Sequence, residues 1–285
     1  MGGRRALLLV VAAVPVAAVV LLNVYAAVVI ARGGQDRTEP RDPASVGLAF
    51  TDVVYGNGLP AWYVAGAAAQ PVIVIVHGYG GNRSSTIEVG PPLHERGYGL
   101  LFVNLGYVNG DRPYGGGQRE ADDVRRAVSW ARTHAGVPVV VLGFSGGGFA
   151  ALAAAARGAD VSGVVSDSGF VSFRHEAAHR AHVPPLVTKL LPVVYPVVSA
   201  GGHAIDAVPA GGRPFPVPAL IVQGTADETI SPANGQRLAR LTGGELWLLD
   251  GVGHVDAFHH DERAYVDRVD AFIRSALAGG AGERG

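Results

Sequence analysis

Ser145 stands in Gly143-Phe144-Ser145-Gly146-Gly147, after the valine-rich run Val139–Leu142 and ahead of an alanine-rich helical pattern from Phe149 to Arg157. A serine at such a strand-to-helix corner, with glycines beside it, is held at the end of a sheet above the free N–H groups of the new helix. That is a place for a nucleophile. A serine hydroxyl attacks a carbonyl only when a base takes its proton and a carboxylate orients that base. Two later stretches supply these types. The run LIVQ leads into Gly224-Thr225-Ala226-Asp227-Glu228, and LWLL leads into Asp250-Gly251-Val252-Gly253-His254. Asp227 and His254 thus follow strand ends, the edge of an open α/β sheet where ligands bind. The order Ser, Asp, His fits one constellation of nucleophile, orienter and base.

Negative charge developing on the attacked oxygen needs backbone N–H donors. Gly146, next to the nucleophile, offers one. Tyr79 offers the other, in His77-Gly78-Tyr79-Gly80-Gly81-Asn82 after the apolar run VIVIV. His77 is read as a brace for that turn, because His254 already fills the base role.

A rival motif competes. His175-Glu176-Ala177-Ala178-His179 matches H-E-x-x-H, which on a helix aims two imidazoles at one zinc ion with the glutamate as general base. Its context is poor. Pro184-Pro185 cuts the helix short, His182 sits where the longer zinc-protease pattern has glycine, and His182 or His203 could be a third ligand only by luck. A polar helix is the better reading, and no metal or cofactor is expected. His259-His260-Asp261 is read as the polar start of the final helix.

The elements that must position these residues alternate along the chain. A hairpin is expected at Val46–Tyr55 and Leu59–Val64. Strands follow at Val72–Val76, Gly99–Leu105, Val139–Leu142, Val161–Val165, Ala219–Gln223 and Glu245–Leu249. Helices are expected at Ser85–Arg96, Arg119–His134, Phe149–Arg157, Ser231–Leu241 and Asp261–Leu277. Repeated strand–helix units imply a mostly parallel sheet with helices on both faces. Residues 170–218 break the rhythm with many prolines and the run PPLVTKLLPVVYPVV. That insertion is read as a helical cap over the site, against the plainer alternative of helices packed on the sheet edge.

The chain has 285 residues, 48% apolar and 16% charged, with net charge −1. No field favours nucleic acid as a partner. There is no cysteine, which excludes thiol catalysis and disulfides. Ala6–Ala31 carries no charge and would span roughly 39 Å as a helix, enough to cross a bilayer with some tilt. A cleaved signal peptide has a shorter apolar region and an A-x-A-like site, so a retained single-pass anchor is the preferred reading. Arg4 and Arg5 before the segment nearly balance Arg32, Arg37 and Arg41 after it; the catalytic domain is placed on the extracytoplasmic side. The expected division is an anchor at 6–31, a linker at 32–45, one domain at 46–278 and a flexible tail at 279–285.

Taken together, HGYGGN, GFSGGG, GTADETI and GVGHVDAF resemble the α/β-hydrolase superfamily over roughly residues 46–278, and most of all its compact prolyl-oligopeptidase and serine-aminopeptidase branch, without a propeller. The resemblance implies a triad of Ser145, Asp227 and His254 and an oxyanion hole at Tyr79 and Gly146. It also implies cleavage of an ester, thioester or amide bond. One stretch departs from the pattern: many relatives carry Asp-x-Arg-Gly-x-Gly where this chain has Asn104-Leu105-Gly106-Tyr107-Val108-Asn109. Substrate class is therefore not carried over. A small acyl substrate, hydrophobic or lipid-like, is expected from the apolar insertion and the nearby membrane; oligomeric state is left open. The remaining alternatives are a zinc peptidase and a membrane-tethered binding domain without chemistry.

Overall fold

The computed structural model describes residues 2–32, 37–110, 112–184, 187–209 and 214–282. A long apolar helix, α1 (Gly2–Arg32), opens the chain. Part of the expected linker, residues 33–36, lies outside the described residues. The hairpin follows as β1 (Thr51–Tyr55) and β2 (Leu59–Val64). Then come β3 (Val72–Val76), α2 (Gly90–Glu95), β4 (Gly99–Val103), α3 (Gln118–Ala135), β5 (Val139–Phe144), α4 (Gly146–Ala156) and β6 (Gly163–Asp167). The insertion holds α5 (Phe173–Arg180) and α6 (Leu191–Val198). The chain closes with β7 (Ala219–Gly224), α7 (Ala233–Thr242), β8 (Glu245–Leu249), α8 (Ala257–His260) and α9 (Glu262–Gly282). Residues 283–285 of the expected tail lie outside the described residues.

The strands form one sheet in the order β1-β2-β4-β3-β5-β6-β7-β8. Both pairings of β2 are antiparallel, and every pairing from β4 to β8 is parallel. This is the α/β-hydrolase fold. The central strands are near-continuous runs of valine, isoleucine and leucine because both of their faces are covered. Val72, Val74 and Val76 face one core with α3 and α4, while Ile73 and Ile75 face the other with α2 and α9.

Three local differences from the sequence expectation have physical causes. The first strand starts at Thr51 rather than Val46, because Pro43 opens a 3-10 turn that Gly47 ends at φ 81°. The expected helix at Ser85–Arg96 is a 3-10 segment, Arg83–Val89, followed by the short α2. Pro91 and Pro92 lack the N–H that a helix interior needs, so they sit in the first turn of a new helix. Asp261 is extended (φ −153°, ψ 91°), which separates α8 from α9 and puts His259 and His260 in α8.

The insertion does not stand alone. The last turns of α1 pack against α5 and α6. There Ala26, Ala27, Ile30 and Ala31 are buried in the same core as α3 and α4.

Candidate active site

The site is built at the carboxyl ends of β3, β5, β7 and β8. Ser145 sits between β5 and α4 with φ 51° and ψ −115°, a conformation that an ordinary residue adopts only when its surroundings impose it. Its N–H donates to the Asp167 carbonyl at 2.7 Å, which ties the corner to the end of β6. The glycines flanking the corner are steric necessities. A Cβ on Gly147 would collide with the Val76 and His77 carbonyl oxygens, and one on Gly143 with the Gly147 carbonyl.

The loops after β7 and β8 bring the other two expected residues to the serine. The Nδ1 of His254 lies 2.8 Å from Asp227 Oδ2, and its Nε2 lies 3.0 Å from Ser145 Oγ. Asp227 is anchored on both oxygens. Oδ1 accepts from the Thr229 and Ile230 amides at 2.9 and 2.7 Å, and Oδ2 accepts from Gln223 Nε2 at 3.0 Å as well as from His254. Burial alone would raise the Asp227 pKa, but His254, the Ile230 amide and Gln223 outweigh it and hold the carboxyl below its ordinary range. An ionised Asp227 fixes the proton of His254 on Nδ1. Nε2 then presents its lone pair to the serine.

Tyr79 and Gly146 also meet. A Cβ on Gly146 would lie 3.0 Å from the Tyr79 amide nitrogen, so the Tyr79 amide closely adjoins Gly146 beside Ser145 and a side chain there would crowd it. His77 is buried under this loop, with Nδ1 2.8 Å from the Gly78 carbonyl and Nε2 accepting from the Leu105 amide at 3.2 Å. Those two bonds require the neutral ring protonated on Nδ1. Burial pushes its pKa down to about 4. The stretch that departs from the family pattern also serves as bracing. Asn104 Oδ1 accepts from the Arg83 amide at 2.7 Å, and its Nδ2 donates to Glu39 at 2.6 Å.

Two supports were not visible in the sequence. Gln223, next to last in β7, is one more polar residue after an apolar run, with no spacing to mark it as a partner of Asp227. Ser168 accepts from the Val255 amide at 3.0 Å and donates to Asp167 at 2.9 Å, tying the His254 loop to β6. Burial raises the pKa of Asp167 to about 6.

A cavity of about 360 Å³ opens beside Ser145 and His254, with Val89, Phe144, Val255 and Phe258 in its walls. No described residue of the insertion is among those that line this cavity. The insertion's Phe170, Ser172, His175 and His179 line a neighbouring cleft of about 300 Å³ on the far side of Asp227. On α5, Arg174 donates to His175 Nε2 at 2.9 Å. Among the described residues no three His, Cys, Asp or Glu side chains gather to hold a metal ion; His182 and His203 do not complete a set.

Residues 71–192 match the family described as the alpha/beta hydrolase fold. The uncharacterized protein YfhR of Salmonella typhimurium is 27% identical over 252 residues, covering 78% of this chain and 80% of that protein. The uncharacterized protein Rv2307c of Mycobacterium tuberculosis is 26% identical over 225 residues, covering 76% and 75%. Among solved structures, the esterase Pf2001 of Pyrococcus furiosus superposes with a TM-score of 0.65 at 18% identity, over 85% of this chain and 96% of that one. A dienelactone hydrolase from Anabaena variabilis gives 0.56 at 20% identity, over 80% and 96%.

The His77 geometry has a measurable consequence. The unfolded chain binds a proton at this residue near pH 6.5 and the folded one only near pH 4. Stability contributed here is therefore complete above about pH 6.5 and is lost as pH falls towards 4, by ~3 kcal/mol in all. His77→Gln should lower the melting temperature at pH 7.5 but flatten its fall between pH 6.5 and 4.5. Parallel profiles for variant and wild type would remove the assignment.

Proposed function

We propose that this serine hydrolase, an α/β-hydrolase in fold, cleaves small hydrophobic carboxylic esters with Ser145 as nucleophile, His254 as base and Asp227 as orienter. The observation that carries the reading is the unbroken line of two hydrogen bonds from Asp227 through His254 to Ser145, at 2.8 and 3.0 Å. Ser145 Oγ attacks the acyl carbon while its proton passes to His254 Nε2. The carbonyl oxygen takes the negative charge beside the Tyr79 and Gly146 amides. Collapse of the tetrahedral species breaks the ester bond, and the proton on His254 leaves with the alcohol. Water then attacks the acyl-enzyme and gives a proton to His254; collapse breaks the acyl–Oγ bond, the acid leaves and His254 returns that proton to Ser145 Oγ.

Substrate class rests on the cavity wall. Val89, Phe144, Val255 and Phe258 suit an apolar acyl or alkyl group. The finer likeness to the prolyl-oligopeptidase branch would bring amide cleavage. The carboxylate among the lining residues, Glu88, is already held by Arg41 at 2.7 Å, which leaves the ester first. That solved structures sharing the fold include proteins called esterases accords with this.

We further propose that α1 is a retained single-pass anchor, with the domain on the extracytoplasmic side. Within it, Val14–Arg32 is apolar enough to cross a membrane. What supports retention over cleavage is that Ala26, Ala27, Ile30 and Ala31 belong to the domain core. In addition, Tyr79 Oη donates to the Ile30 carbonyl at 2.6 Å.

Ser145→Ala should lower kcat on an aryl ester by at least ~10⁴-fold. Fluorophosphonate should abolish turnover and chelators should not. The reverse pattern would favour the zinc peptidase, and unchanged hydrolysis by the alanine variant would leave the serine without a role. Across aryl esters of rising chain length, kcat/KM should climb beyond acetate; a flat or falling series would remove the apolar substrate. Protein recovered from the producing cell should stay with the membranes and keep its N-terminal helix. A soluble form beginning after Ala31 would contradict the anchor.

A further inference from the structure

The fold divides the apolar N-terminal stretch in two. From Asn23 onward the helix is a foot set into the domain: Asn23, Ala26, Ala27, Ile30 and Ala31 are all at most 2% exposed. Asn23 donates to the Val19 carbonyl at 2.7 Å, and the Tyr114 amide donates to the Ala31 carbonyl at 3.3 Å. Ahead of Asn23, the segment Ala6–Leu22 amounts to about 26 Å of helix, against a hydrocarbon core of about 30 Å. A span slightly too short leaves no spacer between bilayer and domain. The surface around Asn23 must then meet the lipid directly.

That surface includes α6, which packs alongside α1. Leu190, Val193 and Val197 recur at helical spacing and share one face. They are 39%, 73% and 83% exposed, whereas Leu191 and Tyr195 behind them are fully buried. On α1, Leu21 and Tyr25 are 67% and 54% exposed. A tyrosine at this level is what a headgroup boundary selects. Lys189, the only lysine of the chain, is exposed next to the valine face and can reach lipid phosphates with its long stem along apolar surface.

We infer that α6 is seated in the lipid bilayer, at the boundary between headgroups and acyl chains, with Leu190, Val193 and Val197 towards hydrocarbon. The inference rests on the reading of α1 as a retained anchor and adds a second membrane contact to it. The catalytic domain is thereby held flat on the membrane instead of swinging from a tether. The partner is the lipid surface itself, not a protein.

The absence of cysteine allows a direct test on the full-length chain. Val197→Cys, Val16→Cys and Ser275→Cys each take one polarity-sensitive fluorophore, and soluble-ester turnover reports that each variant is folded. Ser275 is exposed on α9, across the sheet from α1 and α6. The proteins are placed in phosphatidylcholine–phosphatidylglycerol vesicles with and without brominated acyl chains. Labels at 16 and 197 should each lose about half or more of their emission to bromine, and the label at 275 almost none. A label at 197 that bromine spares while the one at 16 is quenched overturns the seating of α6 and leaves the anchor standing. If that spared label is also shielded from aqueous iodide, a second copy of the chain covers the face instead. An unquenched label at 16 removes the anchor and this inference with it.

Discussion

The space beneath Ser145 is too small for one more carbon atom, and the site depends on that. The first turn of α4 passes so close to the end of β3 that no side chain fits at Gly147, and the carbonyl of Gly147 in turn excludes one at Gly143. This contact forces the unusual backbone of Ser145 and sets Gly146 beside the amide of Tyr79. The loop carrying Tyr79 cannot retreat, because His77 and Asn104 pin it from below to the ends of β3 and β4. Hydrophobic burial makes the sheet; the sheet's packed edge makes the geometry.

Much of this was legible in the chain. Fully buried parallel strands must be almost purely apolar, so runs such as VIVIV, VVVL and LIV mark themselves, and the polar residue after each run marks a strand end. That is why Ser145, Asp227 and His254 could be placed along one edge from their neighbours alone. Glycines announced the close approaches for the same reason. Gln223 and Ser168 were not legible, since a lone amide or hydroxyl at a strand end has no pattern, only a partner that folding supplies. The start of β1 was misread because Val46 to Phe50 looks extended by composition, while Pro43 and Gly47 bend it into a turn.

The apolar run of the insertion finds cover within the domain as well. PPLVTKLLPVVYPVV reads as a lid because its hydrophobic face needs covering, and an active-site cleft is the usual cover. Here α1 provides it. Ala26, Ala27, Ile30 and Ala31 fill one side of the insertion, while the cavity at Ser145 is walled by the catalytic loops together with the Arg83–Val89 segment and α8. Tyr79 joins the two regions: its amide belongs to the catalytic corner, and its phenol bonds a carbonyl at the foot of α1.

The order of parts along the chain has a further consequence. The nucleophile and its base lie 109 residues apart, with the base in the last loop before the terminal helices. A ribosome making this protein therefore delivers Ser145 well before His254. A copy that stops short of His254 holds Ser145 without the base that would take its proton.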